Sequence, residues 1–224
     1  EDGIRDYKVT GVQTCALPIT AHPERVGGLD GVEKAKGELV EALPTSGTAI
    51  LNGDDPRVAR MASRTSAHVV TYAMTTTADV AMTSQSMDAD GAVTMSVTSP
   101  WGDVTVRVPA AGVHMASNAL AALAIAGVCG VPIADAARGL ESARLSPMRM
   151  ENHVTVGGAR VVADCYNANP ASVAAALRTL AALQASRRVA VLGVMAELAD
   201  EAVEHRSEEH TSELQSPCNL VCRL

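Results

Sequence analysis

Apolar and polar positions along the chain follow two distinct rhythms. From Leu29 to Leu43 apolar residues recur at helical spacing, with Val32, Leu39 and Leu43 on one side, predicting an amphipathic helix. Thr48–Asn52 (TAILN) and His68–Ala73 are short β-branched runs and predict buried strands. Between Asp79 and Val108 the period drops to two, as VAMTSQSM, AVTMSVTS and DVTVRV, with turns at Asp90-Gly91 and Pro100–Asp103. That pattern predicts an antiparallel meander at one edge of a domain. Ala119–Cys129 and Pro132–Ala143 read as helices, and Leu145-Ser146-Pro147 as a break.

The most informative stretch is Arg160–Leu183, RVVADCYNANPASVAAALRTLAAL. Arg160–Cys165 predicts a buried strand and Tyr166–Asn169 a polar turn. Pro170 opens an alanine-rich helix, with Asn169 as its N-cap. Val173, Leu177, Leu180 and Gln184 form the stripe expected to face a sheet. A second strand, Arg188–Leu192, completes a βαβ unit, and ligands of such units sit at the carboxyl ends of the strands, around Asp164–Asn169. The fold class is therefore α/β.

Composition adds limits rather than chemistry. Aromatics are 2% of residues with no Phe, so aliphatic side chains and scattered Met must fill the core. A length of 224 residues allows one large or two small domains. Net charge is −7 and no basic stripe is visible, which argues against nucleic acid or an anionic membrane as partner. The run Ala119–Ala134 is broken by Gly127, Gly130 and Pro132 and is too short to cross a bilayer. Cys129 and Cys165 fall in apolar elements. Only Cys218 and Cys222 have a spacing near that of metal ligands, and a reducing cytoplasm is expected. Residues 1–19 and 207–224 lack the composition and periodicity of the middle and resemble translated sequencing-adapter read-through. Thr20–Arg206 is then expected to be an internal piece of a longer protein.

Five words in order, A-H, A-K-G-E, G-V-H-M-A-S-N, M-R-M-E and D-C-Y-N-A-N-P, resemble the Mur ligases. Within that family the last word is closest to the branch that joins D-alanyl-D-alanine to UDP-N-acetylmuramoyl-tripeptide. The resemblance implies part of a central ATPase domain with a mixed sheet and helices (20–147), followed by the start of a Rossmann-like C-terminal domain (148–206). It implies an ATP-dependent amide ligase of peptidoglycan synthesis, acting through an acyl phosphate, with ATP and Mg2+ as cofactors. A monomeric parent, without nucleic-acid partners or membrane insertion, is expected.

The same resemblance assigns roles. His22 and a carbamylated Lys36 would hold magnesium, since carbamylation turns a cation into the oxygen donor that a hard cation takes. Asn118 and His114 would contact the nucleotide, and Arg149 would reach the phosphates with a planar guanidinium. Asp164 would meet the ribose. Asn167 and Asn169 would orient either the nucleotide or the incoming dipeptide. L-N-G-D-D-P resembles another family word, but Asp54 or Asp55 is read first as a helix cap.

Three positions depart from the family: Pro23 after His22, Met115 in place of the first asparagine of G-x-H-N, and Val194 in place of an aspartate. No G-x-x-x-x-G-K-[ST] loop occurs in the sequence, so this chain alone is expected not to ligate. The alternatives are a non-catalytic nucleotide-binding module, a damaged reading frame, or another member of the same superfamily.

Overall fold

The computed structural model describes residues 12–14, 28–144, 146–193, 195 and 220–223. The elements run β1 (Val12–Thr14), α1 (Gly28–Glu41), β2 (Thr48–Asn52), α2 (Pro56–Arg60), β3 (His68–Ala73) and β4 (Val80–Met87). They continue with β5 (Ala92–Thr98), β6 (Val104–Ala111), α3 (His114–Val128), α4 (Ile133–Glu141) and β7 (Glu151–Val154). The last are β8 (Arg160–Ala163), α5 (Pro170–Ala182), β9 (Val189–Leu192) and β10 (Leu220–Arg223). One sheet has the order β1-β2-β3-β4-β5-β6 and the other β7-β8-β10-β9, so the α/β class with a mixed sheet holds.

In the first sheet β1 to β4 pair in parallel. The turns Asp88–Gly91 and Ser99–Asp103 are far too short for a parallel crossover, so β5 and β6 run back and forth, as the period-two pattern predicts. In the second sheet β7 and β8 pair antiparallel, and β10 pairs antiparallel with both β8 and β9. β8 and β9 are therefore parallel to each other, as a βαβ unit requires, but β10 lies between them. β7 was not anticipated. Its four residues, ENHV, are mostly exposed and carry no apolar alternation to read.

By compactness the chain divides into two units. The first takes in Glu1–Ser84, Met95–Val106 and Ser117–Gly139, the second Gln85–Thr94, Arg107–Ala116 and Leu140–Leu224. The first unit packs α1 on β2 through Val32, Val40, Leu43, Ala49, Leu51, Val58, Met61 and Ala67. The apolar stripe of α1 differs from the one expected. Val40 is buried, whereas Leu39 is 42% exposed. The adjoining stripe is occupied by Arg64, whose Nε donates to Glu41 at 2.7 Å and Nη1 to the Glu33 carbonyl at 3.3 Å. A Cβ at Gly37 would lie 1.7 Å from that guanidinium, which accounts for glycine after Lys36. α2 starts with Asp55 accepting from the Arg57 N–H at 2.9 Å and Pro56 at the first position, so the capping role falls on Asp55.

The second unit has a core of Ala111, Met150, Val162, Ala176, Leu180 and Leu183, with a smaller cluster of Ala168, Val173 and Met195. α5 begins as its sequence predicts. Asn169 accepts from the Ser172 N–H at 2.9 Å and the Ser172 hydroxyl accepts from the Asn169 N–H at 3.0 Å, a reciprocal capping box. Its buried face ends on Leu183 rather than Gln184, because the helix stops at Ala182 and the extended Leu183 turns inward. Cys129 also departs from expectation. It follows the end of α3 and is exposed.

Candidate functional site

The chemistry-bearing side chains of the second unit gather around a distorted turn. Met148 and Met150 have φ of 61° and 48°, left-handed values that cost a side-chain-bearing residue about 1–2 kcal/mol each. Three hydrogen bonds hold the turn there. The Met148 N–H donates to Glu151 Oε2 at 3.0 Å, the Met150 N–H to Asp164 Oδ1 at 3.2 Å, and the Tyr166 N–H to the Met148 carbonyl at 3.1 Å. Met150 is 4% exposed and roots the turn in the core. Arg149, between the two strained residues, is exposed, and its guanidinium carbon lies 4.2 Å from the centroid of the Tyr166 ring.

Asp164 follows β8 and His114 opens α3. Burial pushes the Asp164 carboxyl above its ordinary value, although the Met150 N–H and the charges of His114 and Arg149 pull the other way. Burial likewise holds His114 below its ordinary value. Arg178 adds to that shift and Asp164 opposes it. Asp164 thus binds the far side of the turn instead of capping its own loop. His114, Asp164 and Arg149, far apart in the sequence, share one electrostatic neighbourhood.

A pH dependence follows for His114. Between its depressed folded value and about 6.5 the unfolded chain binds more protons, so stability falls as pH drops below about 6.5 and until the folded value is passed. Asp164 acts oppositely, since its folded form takes a proton above the usual value and gains stability on acidification. Urea midpoints at pH 7.5, 6.5 and 5.5 should therefore fall more steeply for the wild-type chain than for His114→Gln. Parallel pH profiles would contradict this.

The remaining candidates are placed as follows. Asn167 is exposed and its Oδ1 accepts from the Ala168 N–H at 2.9 Å, while the Asn169 oxygen is committed to the α5 cap. Asn118 is exposed on α3, one helical turn beyond its start, and belongs to the first unit. Lys36 is half-buried on α1, also in the first unit. His22 and Val194 lie outside the described residues. Asp54 is not the helix cap: it accepts from the Met74 N–H at 2.6 Å and from both N–H and hydroxyl of Thr75 and Thr76. Burial raises its pKa, but these bonds outweigh burial and leave the carboxyl below its ordinary value. Among the described residues no cluster of three or more His, Cys, Asp or Glu side chains could hold a metal ion. Nor, among them, is any helix long and apolar enough to cross a membrane.

Tyr166 stands in the sequence as a turn residue and as part of the D-C-Y-N-A-N-P word, with no contact role. Its partner in the stack lies across the turn, and no local signal points to it.

Two family models match the chain: the Mur ligase middle domain over residues 19–126, and the Mur ligase, glutamate ligase domain over residues 148–218. The chain is 38% identical over 190 residues to the UDP-N-acetylmuramoyl-tripeptide–D-alanyl-D-alanine ligase of Mycobacterium bovis, aligning 82% of this chain with 37% of that protein. It is 33% identical over 183 residues to the ligase of the same name from Escherichia coli K12, aligning 81% of this chain with 40% of that protein. The chain therefore spans less than half the length of these curated relatives. Among solved structures it is similar to MurF from Acinetobacter baumannii, with a TM-score of 0.77 and 27% identity over 88% of this chain and 42% of that one. The MurF ligase of Thermotoga maritima in complex with ADP shares the fold, with a TM-score of 0.71 at 19% identity over 88% of this chain and 44% of that one.

Proposed function

The chain belongs to the Mur ligase family, and from that premise we propose that it supplies nucleotide-handling parts of an ATP-dependent amide ligase joining D-alanyl-D-alanine to UDP-N-acetylmuramoyl-tripeptide. Residues 20–147 would form the later part of the central ATPase domain and 148–206 the start of the C-terminal domain. The observation that carries the reading is the turn that brings the exposed Arg149 to the end of β8, where the Met150 N–H donates to Asp164 at 3.2 Å, with His114 close enough to act on that carboxyl. The similarity to relatives of that name adds to it.

In this reading ATP provides the phosphoryl group that activates the tripeptide carboxylate, so that the dipeptide amine displaces phosphate. The chain's own residues bind and orient. Arg149 offers an exposed guanidinium to phosphate oxygens, where a planar donor set suits the geometry. Asp164, held by the Met150 N–H through one oxygen, offers the other to a ribose hydroxyl. His114, kept neutral at physiological pH by burial, adds no charge of its own and can donate or accept a hydrogen bond. Asn167, exposed beside Asp164, adds a further polar group in the same unit.

Magnesium stands on different ground. An unmodified Lys36 ammonium cannot ligate a cation, and the described residues offer no ready cluster. Carbamylation of Lys36 would supply the missing oxygen donor, and with His22 it would hold an ion that neutralises phosphate charge. A cytoplasmic, monomeric parent enzyme fits the small soluble substrates proposed.

In a full-length ligase carrying this segment, Arg149→Ala should lower kcat/KM for ATP about 10- to 100-fold, the factor for losing a charge-assisted ion pair. Phosphate release should require both the tripeptide substrate and D-alanyl-D-alanine. A variant within about twofold of wild type, against that expected loss, or phosphate release independent of the dipeptide, would contradict the proposal.

A further inference from the structure

We propose that Tyr166 is a positioning residue for Arg149, its ring holding the guanidinium so that the N–H rim stays available to a phosphate group. This rests on the reading of Arg149 as a phosphate ligand. The guanidinium carbon lies 4.2 Å from the ring centroid, and both side chains are exposed, Tyr166 at 58%. An exposed arginine would otherwise sample many rotamers and lose that freedom when an anion binds.

The choice of an aromatic partner matters chemically. A carboxylate holding Arg149 would occupy its donors and cancel its charge, both of which a phosphate needs. A ring face attracts the cation through its quadrupole and takes up neither the charge nor the N–H donors on the rim. The main chain ties the two partners to each other. The Tyr166 N–H donates to the Met148 carbonyl at 3.1 Å, and the left-handed residues on both sides of Arg149 set the direction in which it leaves the turn. The Met150 N–H bond to Asp164 ties the same turn to the end of β8. Ring, turn and carboxylate thus form one braced unit that presents the cation to solvent.

The test uses the 224-residue chain with inorganic triphosphate as the probe, reading affinity by calorimetry and the order of the Arg149 Nε–Hε group by NMR relaxation. Tyr166→Ala should weaken triphosphate binding roughly two- to fivefold, the factor matching a cation–π contact at an exposed site. It should also lower the Nε–Hε order. Tyr166→Phe keeps the ring and should retain wild-type affinity and order, whereas Arg149→Ala should lose about tenfold or more. Wild-type affinity or wild-type order in Tyr166→Ala, with Arg149→Ala impaired, would overturn the positioning role alone. So would equal losses in Tyr166→Phe and Tyr166→Ala. Wild-type affinity in Arg149→Ala, or no saturable binding by the wild-type chain, would remove the phosphate reading and this proposal with it.

Discussion

Gly112→Ala is expected to destabilise the second unit by about 3 kcal/mol, a large share of the 5–15 kcal/mol that holds an ordinary domain together. Two penalties add. Gly112 has φ of +100°, a conformation that side-chain-bearing residues adopt only at a cost of about 1–3 kcal/mol. A Cβ there would also lie 2.3 Å from Thr179 Oγ1 and 2.7 Å from His114 Cε1. Thr179 is 5% exposed and bonded to the Ala175 carbonyl, so it cannot swing away freely, and overpacking of this kind costs about 1–3 kcal/mol. The functional consequence is local. The methyl group would displace the His114 imidazole from its place near Asp164. Urea unfolding should show a lower midpoint with an unchanged slope. Adding Thr179→Ala should restore part of the loss. Gly157→Ala, with nothing within 4 Å of its Cβ position, is the control and should stay near wild type. A Gly112→Ala midpoint matching that control would contradict the account of this turn.

The second large effect concerns the first unit. Gly127 lies under the ring of Trp101, the single tryptophan of the chain, and a Cβ would come within 2.2 Å of Cε3 and 2.3 Å of Cδ2. These are rigid ring atoms, so Gly127→Ala must push the whole indole off α3. Alanine gains about 1 kcal/mol of helix propensity over glycine. Against that stand overpacking at about 1–3 kcal/mol and lost ring burial at about 1.5–3 kcal/mol, so a net loss of about 1.5–5 kcal/mol is expected. Trp101 reports the change directly: its emission should move to longer wavelength as the ring becomes wetter. Unchanged emission and stability would mean that the indole does not rest on Gly127.

These two glycines also indicate what the sequence could and could not convey. β2 and β3 were legible to the residue, because a β-branched run in a parallel sheet is apolar on both faces. The α5 start was legible because Asn169, Pro170 and Ser172 form a local code. α3 begins at His114 rather than Ala119, since the mixed turn His114–Asn118 is too short to show an apolar period of its own. Leu39 was misplaced for a long-range reason: Arg64 reaches across from a later segment and covers the stripe that includes Gly37. In the site, the residue types around Asp164 and Arg149 were readable as words. The strain at Met148 and Met150 and the Tyr166 stack were not, because they depend on a turn and a strand end meeting in space.

His114, Arg149, Asp164 and Asn167 are proposed to belong to one nucleotide site. Titration of ADP into the isotopically labelled chain, followed by backbone amide shifts, tests it most directly. Saturable shifts with one affinity at 114–116, 148–150 and 164–168, reduced together by Arg149→Ala, are the predicted result. Shifts confined to other residues, or none at all, would contradict it.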